Sequence, residues 1–518
     1  MMQKLARYWH TLKYLKLVQI AGRVRYRLCK PRPDLRPAPV LVAPARVWQR
    51  TQGHKPSMKS ADSFVFLGEE GRLSAVGWDG PQKSKLWRYN QHYFDDLNAD
   101  GAAGRHEWHE ALLHRWVAEV ASGTGNAWEP YPVSLRIVNW LKWHACGNVL
   151  PQACVQSLAV QARWLSRRLE WHLLGNHLFV NAKALVMAGL AFEGAEARAW
   201  LRCGLDIIGR ELPEQVLADG GNFELSPMYH AIFLEDLLDL IQASEVWPGK
   251  LDIQTASSWR ATASRMLGWL DGMTHTDGDI ALFNDAASGI APLPRQIAAA
   301  AGVLGIAPAS AAAHGSEGLC HYKESGYIRV ERGPMVALLD VAKVGPDYLP
   351  GHAHADTLSF EMSVHGQRVV VNGGTSRYGL GPERERERST ASHSTVEVDG
   401  CNSSEVWSGF RVARRAFPFD LVVESGNNVL RVACSHNGYS RLPGKPIHSR
   451  MWELGPQSAK IRDVVTGPYR SAVARFLFHP AVRVKSSAEG VWELELPSGE
   501  TVQVSVLEGR AALNVRPY

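Results

Sequence analysis

The chain has 518 residues, 45% of them hydrophobic and 21% charged, with a formal net charge of +6. That length implies two or three domains, and the globular composition excludes collagen-like, coiled-coil and disordered classes. The basic balance suits a polyanionic partner, but no zinc finger or RNA-binding signature points to nucleic acid; seven scattered cysteines without a CxxC exclude a disulfide framework, and no stretch reaches the ~20 apolar residues of a membrane span.

Residues 1–33 carry Lys4, Arg7, Lys13, Lys16, Arg23, Arg25, Arg27, Lys30 and Arg32, with no acid before Asp34. These charges interrupt the apolar residues, so no cleavable leader is expected. Cytoplasm, membrane surface and periplasm all stay open as locations. The pattern around Tyr8, Leu12, Leu15 and 18–20 predicts a basic amphipathic helix, either lying on an anionic membrane or packing on the rest of the chain. Residues 31–60 are Pro-rich and read as an arm. Residues 61–105 are mixed, with an aromatic cluster from Trp87 to Phe94.

From 106 to 305 the helical period dominates. In 152–170, Val155, Leu158, Ala159, Ala162, Leu165 and Leu169 follow i, i+3, i+4 spacing. Similar stretches occupy 107–121, 133–146, 177–194, 197–212, 228–246 and 256–273, separated by short loops that predict antiparallel neighbours. Near 305–325 the period changes to two. Leu358, Phe360, Met362 and Val364 alternate, His365-Gly366 turns, and Val369 and Val371 return, which is a hairpin signal. Strand-like runs follow at 326–341, 394–399, 420–434, 447–464, 473–485 and 491–507. Helices first and strands second give an α+β multidomain chain, with a basic segment and arm at 1–60, a helical domain at 61–315 and an antiparallel β domain at 316–518. A cleft between such domains is a common place for a site.

Five blocks carry chemistry. Gly175-Asn176-His177 opens a helix and offers an amide and an imidazole to a carboxylate. Asp219 to His230 is a glycine-rich loop opening a helix, with Tyr229 in its first turn, where an anion is favoured. Gly351-His352-Ala353-His354-Ala355-Asp356 puts three polar residues on one side of an extended segment, and His-x-His is a metal-ligand spacing that His393 could complete. Asn372-Gly373-Gly374 makes a tight turn that presents Tyr378. Trp128 to Trp140 places Arg136 and Asn139 on one helical face beside aromatics, suited to a sugar acid. Eighteen tryptophans serve either sugar stacking or, more commonly, core packing.

These blocks, in this order over residues 85–410, resemble the heparinase II/III-like lyases and the related alginate lyases. The resemblance implies an N-terminal (α/α) toroid followed by a C-terminal antiparallel β-sandwich. It implies β-elimination on a uronic-acid-containing acidic polysaccharide, glycosaminoglycan or bacterial exopolysaccharide among them. Asn176 or His177 would neutralise the uronate carboxylate, Tyr229 would be general base, acid or both, and His352 the second proton-transfer group. Trp128, Arg136, Asn139, His230 and Tyr378 would bind substrate. Zinc would fall to His354, Asn372 and His393; the family often has Asp where this chain has Asn372, and an amide is a weaker zinc ligand. A tyrosine base needs cationic neighbours, for which Arg136, His177 and His230 are the candidates. Two other classes compete. A glycoside hydrolase would use a carboxylate pair among Asp219, Glu224, Asp277 and Asp279, and a polysaccharide-binding or assembly protein would bind without turnover.

Overall fold

The structure is a computed structural model that describes residues 2–309, 318–426 and 428–514. The expected domain boundary at 315 and 316 lies outside the described residues. Two helices open the chain, α1 (Met2–Leu12) and α2 (Leu17–Leu28). The Pro-rich arm then runs across the ends of three later helices. Val42, Ala45 and Trp48 donate backbone N–H groups to the carbonyls of Ala191, Val246 and Ala145. Helix C-termini leave carbonyls without intrahelical partners, and the arm supplies the missing donors.

A small antiparallel sheet follows, β1 (Met58–Ser60), β2 (Ser63–Phe66) and β3 (Glu69–Arg72), then the short α3 (Leu73–Val76) and α4 (Lys85–Tyr93). The helical run is α5 (His106–Glu119), α6 (Pro130–Ala145), α7 (Gln152–Arg167), α8 (Gly175–Ala191), α9 (Gly194–Gln215), α10 (Pro227–Val246), α11 (Ile253–Gly272) and α12 (Pro294–Val303). Each stretch of helical period from 107 to 273 therefore forms a helix. Tryptophans fill this core: Trp87, Trp116, Trp140, Trp143, Trp247 and Trp269 are fully buried. The high tryptophan count is mainly core packing.

Helix α8 is apolar on nearly every face and lies inside the helical part, as such a helix must. One cation sits on it. Lys183 Nζ donates to Asp236 and Asp239 of α10, both at 2.6 Å, and Lys142 of α6 adds a third contact to Asp239 at 3.0 Å. This buried node ties α6, α8 and α10 together.

The C-terminal part holds a five-stranded antiparallel meander, β4 (Leu319–Tyr322), β5 (Tyr327–Arg332), β6 (Met335–Asp340), β7 (Phe360–Val364) and β8 (Gln367–Val370). Helix α13 (Pro382–Glu387), strand β9 (Val396–Val398) and the hairpin of β10 (Val406–Trp407) and β11 (Arg411–Val412) lead to a second sheet. It comprises β12 (Pro418–Ser425), β13 (Leu430–His436), β14 (Ile447–Leu454) and β15 (Ala459–Thr466), all antiparallel. Strand β16 (Ala472–Ala474) pairs with β9, and β17 (Arg483–Ala488), β18 (Val491–Glu495) and β19 (Thr501–Ser505) form a last sheet. Ile328, Leu339 and Phe360 of the first large sheet meet Val432, Trp452 and Leu454 of the second in one apolar cluster. Four of the longer strand-like runs of the sequence resolve into hairpins: 326–341, 420–434, 447–464 and 491–507 each turn back once.

Polar contacts join the two parts. Arg329 donates to the Gly272 and Thr274 carbonyls, His275 meets Glu361 at 2.9 Å, and Asp219 accepts from the backbone of Glu324 and Ser325. Removing one partner of a buried ion pair costs about 3–5 kcal/mol. Lys183→Ala is therefore expected to lower stability by about that amount in equilibrium denaturation; a loss under about 1 kcal/mol, the worth of an exposed pair, would show that the node does not hold the helices.

Candidate active site

Three loop ends converge at the join, and each bends through a non-glycine residue in the left-handed region. Leu174 (φ 64°) precedes α8, Leu225 (φ 60°) precedes α10, and Asn284 (φ 55°) precedes Asp285. Such a residue costs about 1–3 kcal/mol and persists only where its surroundings fix it. Here they do. Asn284 Nδ2 donates to the Leu225 carbonyl at 2.9 Å, Tyr327 donates to the same carbonyl at 2.8 Å, and the His354 N–H donates to Asn284 Oδ1 at 2.9 Å.

Asp285 is the centre of the site, with no side-chain exposure. It accepts from His352 Nδ1 at 2.9 Å, from His354 Nε2 at 2.8 Å, and from both terminal nitrogens of Arg384. Burial alone would raise its carboxyl, but the hydrogen bonds from His352, His354 and Arg384 outweigh it and hold the group well below the usual carboxylate range. It is an ionised acceptor. Arg388 secures the same segment from behind, donating Nε and Nη2 to the Ala353 carbonyl.

The His352 ring lies 3.9 Å from the Tyr229 ring, centroid to centroid. Tyr229 sits in the first turn of α10, whose N-cap Ser226 accepts from its backbone N–H. Its hydroxyl is 3.0 Å from that of Tyr378, and Tyr378 stacks on Phe410. His352 Nε2 faces Glu224 Oε2 at 3.3 Å. That oxygen is buried without a hydrogen-bond partner, and burial raises the Glu224 carboxyl above its ordinary range. Glu224 also stands beside the start of α8, where a side chain at Gly175 would meet its Oε1 at 3.5 Å. Asn176 and His177 occupy that helix start, both half-buried. The His177 ring packs at a tilt against Tyr131, 4.6 Å between centroids, and faces Glu170 at 3.3 Å. Burial pulls its basicity down, yet the Glu170 and Glu224 carboxylates outweigh this and raise it.

Asn176, His177, Tyr229, His352 and Tyr378 are thus placed around one region, as the sequence suggests. Four other expected residues are not available to substrate. Arg136 is fully buried, donates to Gln161 and to the His92 and Ala127 carbonyls, and lies over Trp116. Asn139 bridges the Tyr93 carbonyl, Asp95 and Asn98. Trp128 is buried against Trp116 and Trp164. His230 is held between the Asn222 N–H and the Met266 carbonyl, and burial takes it down to about 3. With Arg136 and His230 engaged elsewhere, the expected lowering of Tyr229 does not occur. Burial, then Tyr378 and Asp285, push its hydroxyl well above the ordinary tyrosine value. Asp285, Arg384 and Phe410 are members of the site that the sequence reading did not name.

The zinc expectation meets a different arrangement. Burial takes His354 and His393 each down to about 4, so both rings are neutral. Because Asp285 is an acceptor, His354 carries its proton on Nε2. Its bare Nδ1 then accepts from His393 Nε2, 3.2 Å away. The bare Nδ1 of His393 in turn faces the Asn372 amide oxygen at 3.0 Å, while Asn372 Nδ2 has no partner. Turning the amide by half a rotation resolves both conflicts. The chain Asn372, His393, His354, Asp285 then runs donor to acceptor throughout. Asn372 and His354 lie on opposite nitrogens of the His393 ring, so the three do not converge on one ion, and two histidines fall short of the three protein ligands of catalytic zinc. Among the described residues no group of three or more His, Cys, Asp or Glu is placed to hold a metal. The residues do not fit the expected zinc site.

Two family models match the chain, that of the heparinase II/III N-terminus over residues 110–303 and that of the heparinase II/III-like C-terminal region over residues 315–517. The chain belongs to the heparinase II/III-like family. A heparin-sulfate lyase of Bacteroides stercoris is 27% identical over 251 residues, 45% of this chain and 37% of that enzyme. One of Pedobacter heparinus is 27% identical over 248 residues, 44% of this chain and 36% of that enzyme. The match thus spans little more than a third of the length of these curated relatives. Among solved structures, a heparinase III has a TM-score of 0.62 at 17% identity, covering 81% of this chain and 69% of that one. A heparan sulfate lyase mutant from Pedobacter heparinus has 0.58 at 17% identity, covering 95% and 81%. These likenesses show a shared fold, helical first and antiparallel β second.

The neutral histidines set a pH dependence. Below the ordinary histidine range the unfolded chain takes up protons that folded His354, His393 and His230 refuse, so stability is full above about 6.5 and falls as pH drops toward 4. Thermal melts are expected to show a steady loss across that interval; a flat profile would contradict buried neutral rings. Exhaustive chelation is expected to leave the melting temperature unchanged, whereas a stoichiometric zinc content with a destabilised chelated form would restore the metal site.

Proposed function

We propose that this chain is a polysaccharide lyase that cleaves a uronic-acid polymer by β-elimination and leaves a 4,5-unsaturated uronate end. The observation that carries the reading is the Tyr229 phenol packed against a His352 imidazole whose Nδ1 is held by ionised Asp285. The relatives' naming as heparin-sulfate lyases agrees with it.

The chemistry follows from the groups. A uronate C5 proton is weakly acidic until its carboxylate is neutralised and the enolate-like intermediate stabilised. His177, with its raised basicity, and Asn176 at the start of α8 serve that carboxylate. Asp285 fixes the His352 proton on Nδ1 and leaves Nε2 free as the base for C5. Tyr229, held as the neutral phenol, delivers its proton to the O4 leaving group, with Tyr378 orienting its hydroxyl. After elimination the proton taken up by His352 returns to the Tyr229 phenolate beside it, which restores both groups for the next turnover, with Glu224 facing Nε2. The sequence leaves Tyr229 open as base or acid; its raised value supports the acid role.

The finer architecture belongs to the same proposal: an arm over 1–60, an (α/α) toroid over 61–315 and a two-sheet sandwich over 316–518. The run of helices from α5 to α12 without a strand between them and the apolar cluster shared by the two large sheets support it. The same proposal extends to the charge of the substrate. Arg384 is engaged by Asp285, and Lys142 and Lys183 by Asp236 and Asp239. Cations already paired do not serve dense sulfation, so the arrangement favours a carboxylated polymer with few sulfates, of the bacterial exopolysaccharide kind. Two of the four carboxylates of the hydrolase reading are engaged elsewhere. Asp219 binds backbone N–H groups of Gly221, Glu324 and Ser325, and Asp277 is paired with Arg368.

The test is ultraviolet absorbance of the unsaturated product on a panel of alginate, glucuronan, hyaluronan, chondroitin and heparan-type polymers. Absorbance is expected to rise most on an unsulfated member, with Tyr229→Phe and His352→Ala each lowering kcat by about 10²–10⁴-fold. New reducing ends without absorbance would establish a hydrolase instead, and binding without turnover a binding protein.

A further inference from the structure

Helices α1 and α2 each pack through one face and expose another. In α2 the inward stripe is Gln19, Gly22 and Tyr26. Gln19 is buried and donates to the Tyr348 carbonyl, a side chain at Gly22 would meet the Trp171–His172 backbone at 2.8–2.9 Å, and the Tyr26 ring lies 4.2 Å from His172. The outward stripe is Leu17, Ala21, Val24 and Leu28, at i, i+4, i+7 and i+11, all exposed, with Leu17 at 84% and Leu28 at 78%. Helix α1 repeats the arrangement. Tyr8 packs edge-on against Trp407, and Trp407 Nε1 donates to Thr11. Leu5, Trp9 (67% exposed) and Leu12, at i, i+4 and i+7, face out.

Exposed Lys4, Arg7, Lys13, Arg23, Arg25, Arg27, Lys30 and Arg32 surround these stripes, and no acid precedes Asp34. Among the described residues no helix is long and apolar enough to cross a membrane. We propose that α1 and α2 form a docking surface for an anionic phospholipid bilayer, lying in its interface with the leucine and tryptophan stripes immersed and the basic residues at headgroup level. Charge decides the occupant. A second copy placed face to face would bring an equally basic surface against this one. A polyanionic glycan would satisfy the basic residues and leave the apolar stripes in water.

The test is flotation of the full chain with vesicles of phosphatidylcholine alone or with phosphatidylglycerol added. Binding is expected only to the anionic vesicles, and to weaken with salt. The pair Leu17→Ser and Leu28→Ser, and separately the pair Arg25→Glu and Arg27→Glu, should each lower bound protein about tenfold or more. Both pairs are exposed, so circular dichroism and melting should match the parent. No binding, equal binding to both vesicle types, or parental binding by either folded variant pair would overturn the proposal. So would a concentration-dependent dimer that the leucine pair abolishes, which would assign the stripe to a second copy.

Discussion

One buried carboxylate organises the site. Asp285 is the acceptor on which His352, His354 and Arg384 all terminate. A buried charge without such donors is prohibitive, and with them it becomes a fixed point. Because Asp285 accepts, His352 and His354 must donate, and that single condition sets both tautomers. It frees His352 Nε2 toward Glu224 and Tyr229, and it orders the chain back through His393 to Asn372. Arg384 contributes the compensating charge and is thereby removed from substrate binding. The orientation of His352 and the pairing of Arg384 have the same origin.

The join between the two parts of the chain serves that fixed point. Asp285 lies in the loop after α11, whereas His352, His354 and Arg384 come from the segments around the first large sheet. Neither part holds the site alone. The left-handed residues Leu174, Leu225 and Asn284 place the loop ends, and carbonyl and amide contacts across the join keep them there. The Asp219 and His275 contacts do the same farther out. Strain at the loops and dense hydrogen bonding at the join are two sides of one arrangement, in which rigid elements present groups from several loops to one point.

The sequence made the architecture legible wherever one period ran long enough. The stripe of Val155, Leu158, Ala162 and Leu165 needs no tertiary information to read as a helix, and His365-Gly366 marks its hairpin unaided. The His352 and His354 spacing was equally visible, and so was Tyr229 behind its glycine-rich loop. Asp285 was not. It stands in Phe283-Asn284-Asp285-Ala286, which has no period and no motif, and its importance comes from partners about 70 to 100 residues away. Arg384 was hidden in the alternating run 383–388, which looks like a solvated face although Arg384 and Arg388 are buried. Arg136 misled in the opposite direction. An arginine beside aromatics suits a sugar acid, but the same residue can be spent on carbonyls over a buried tryptophan, and only the fold distinguishes the two. The histidine spacing likewise read as a metal site, because spacing does not reveal which ring nitrogen faces which neighbour.

The dependence of His352 on Asp285 is the central claim, and Asp285→Asn tests it most directly. The amide keeps the shape of the carboxylate but loses its charge and half its accepting capacity. If Asp285 sets the tautomer that makes His352 a base, kcat on the best polymer falls by about 10²–10⁴-fold, while the protein stays folded and binds uncleaved polymer as before. Parental kcat in the folded variant would contradict the account, because His352 would then work without the carboxylate that orients it.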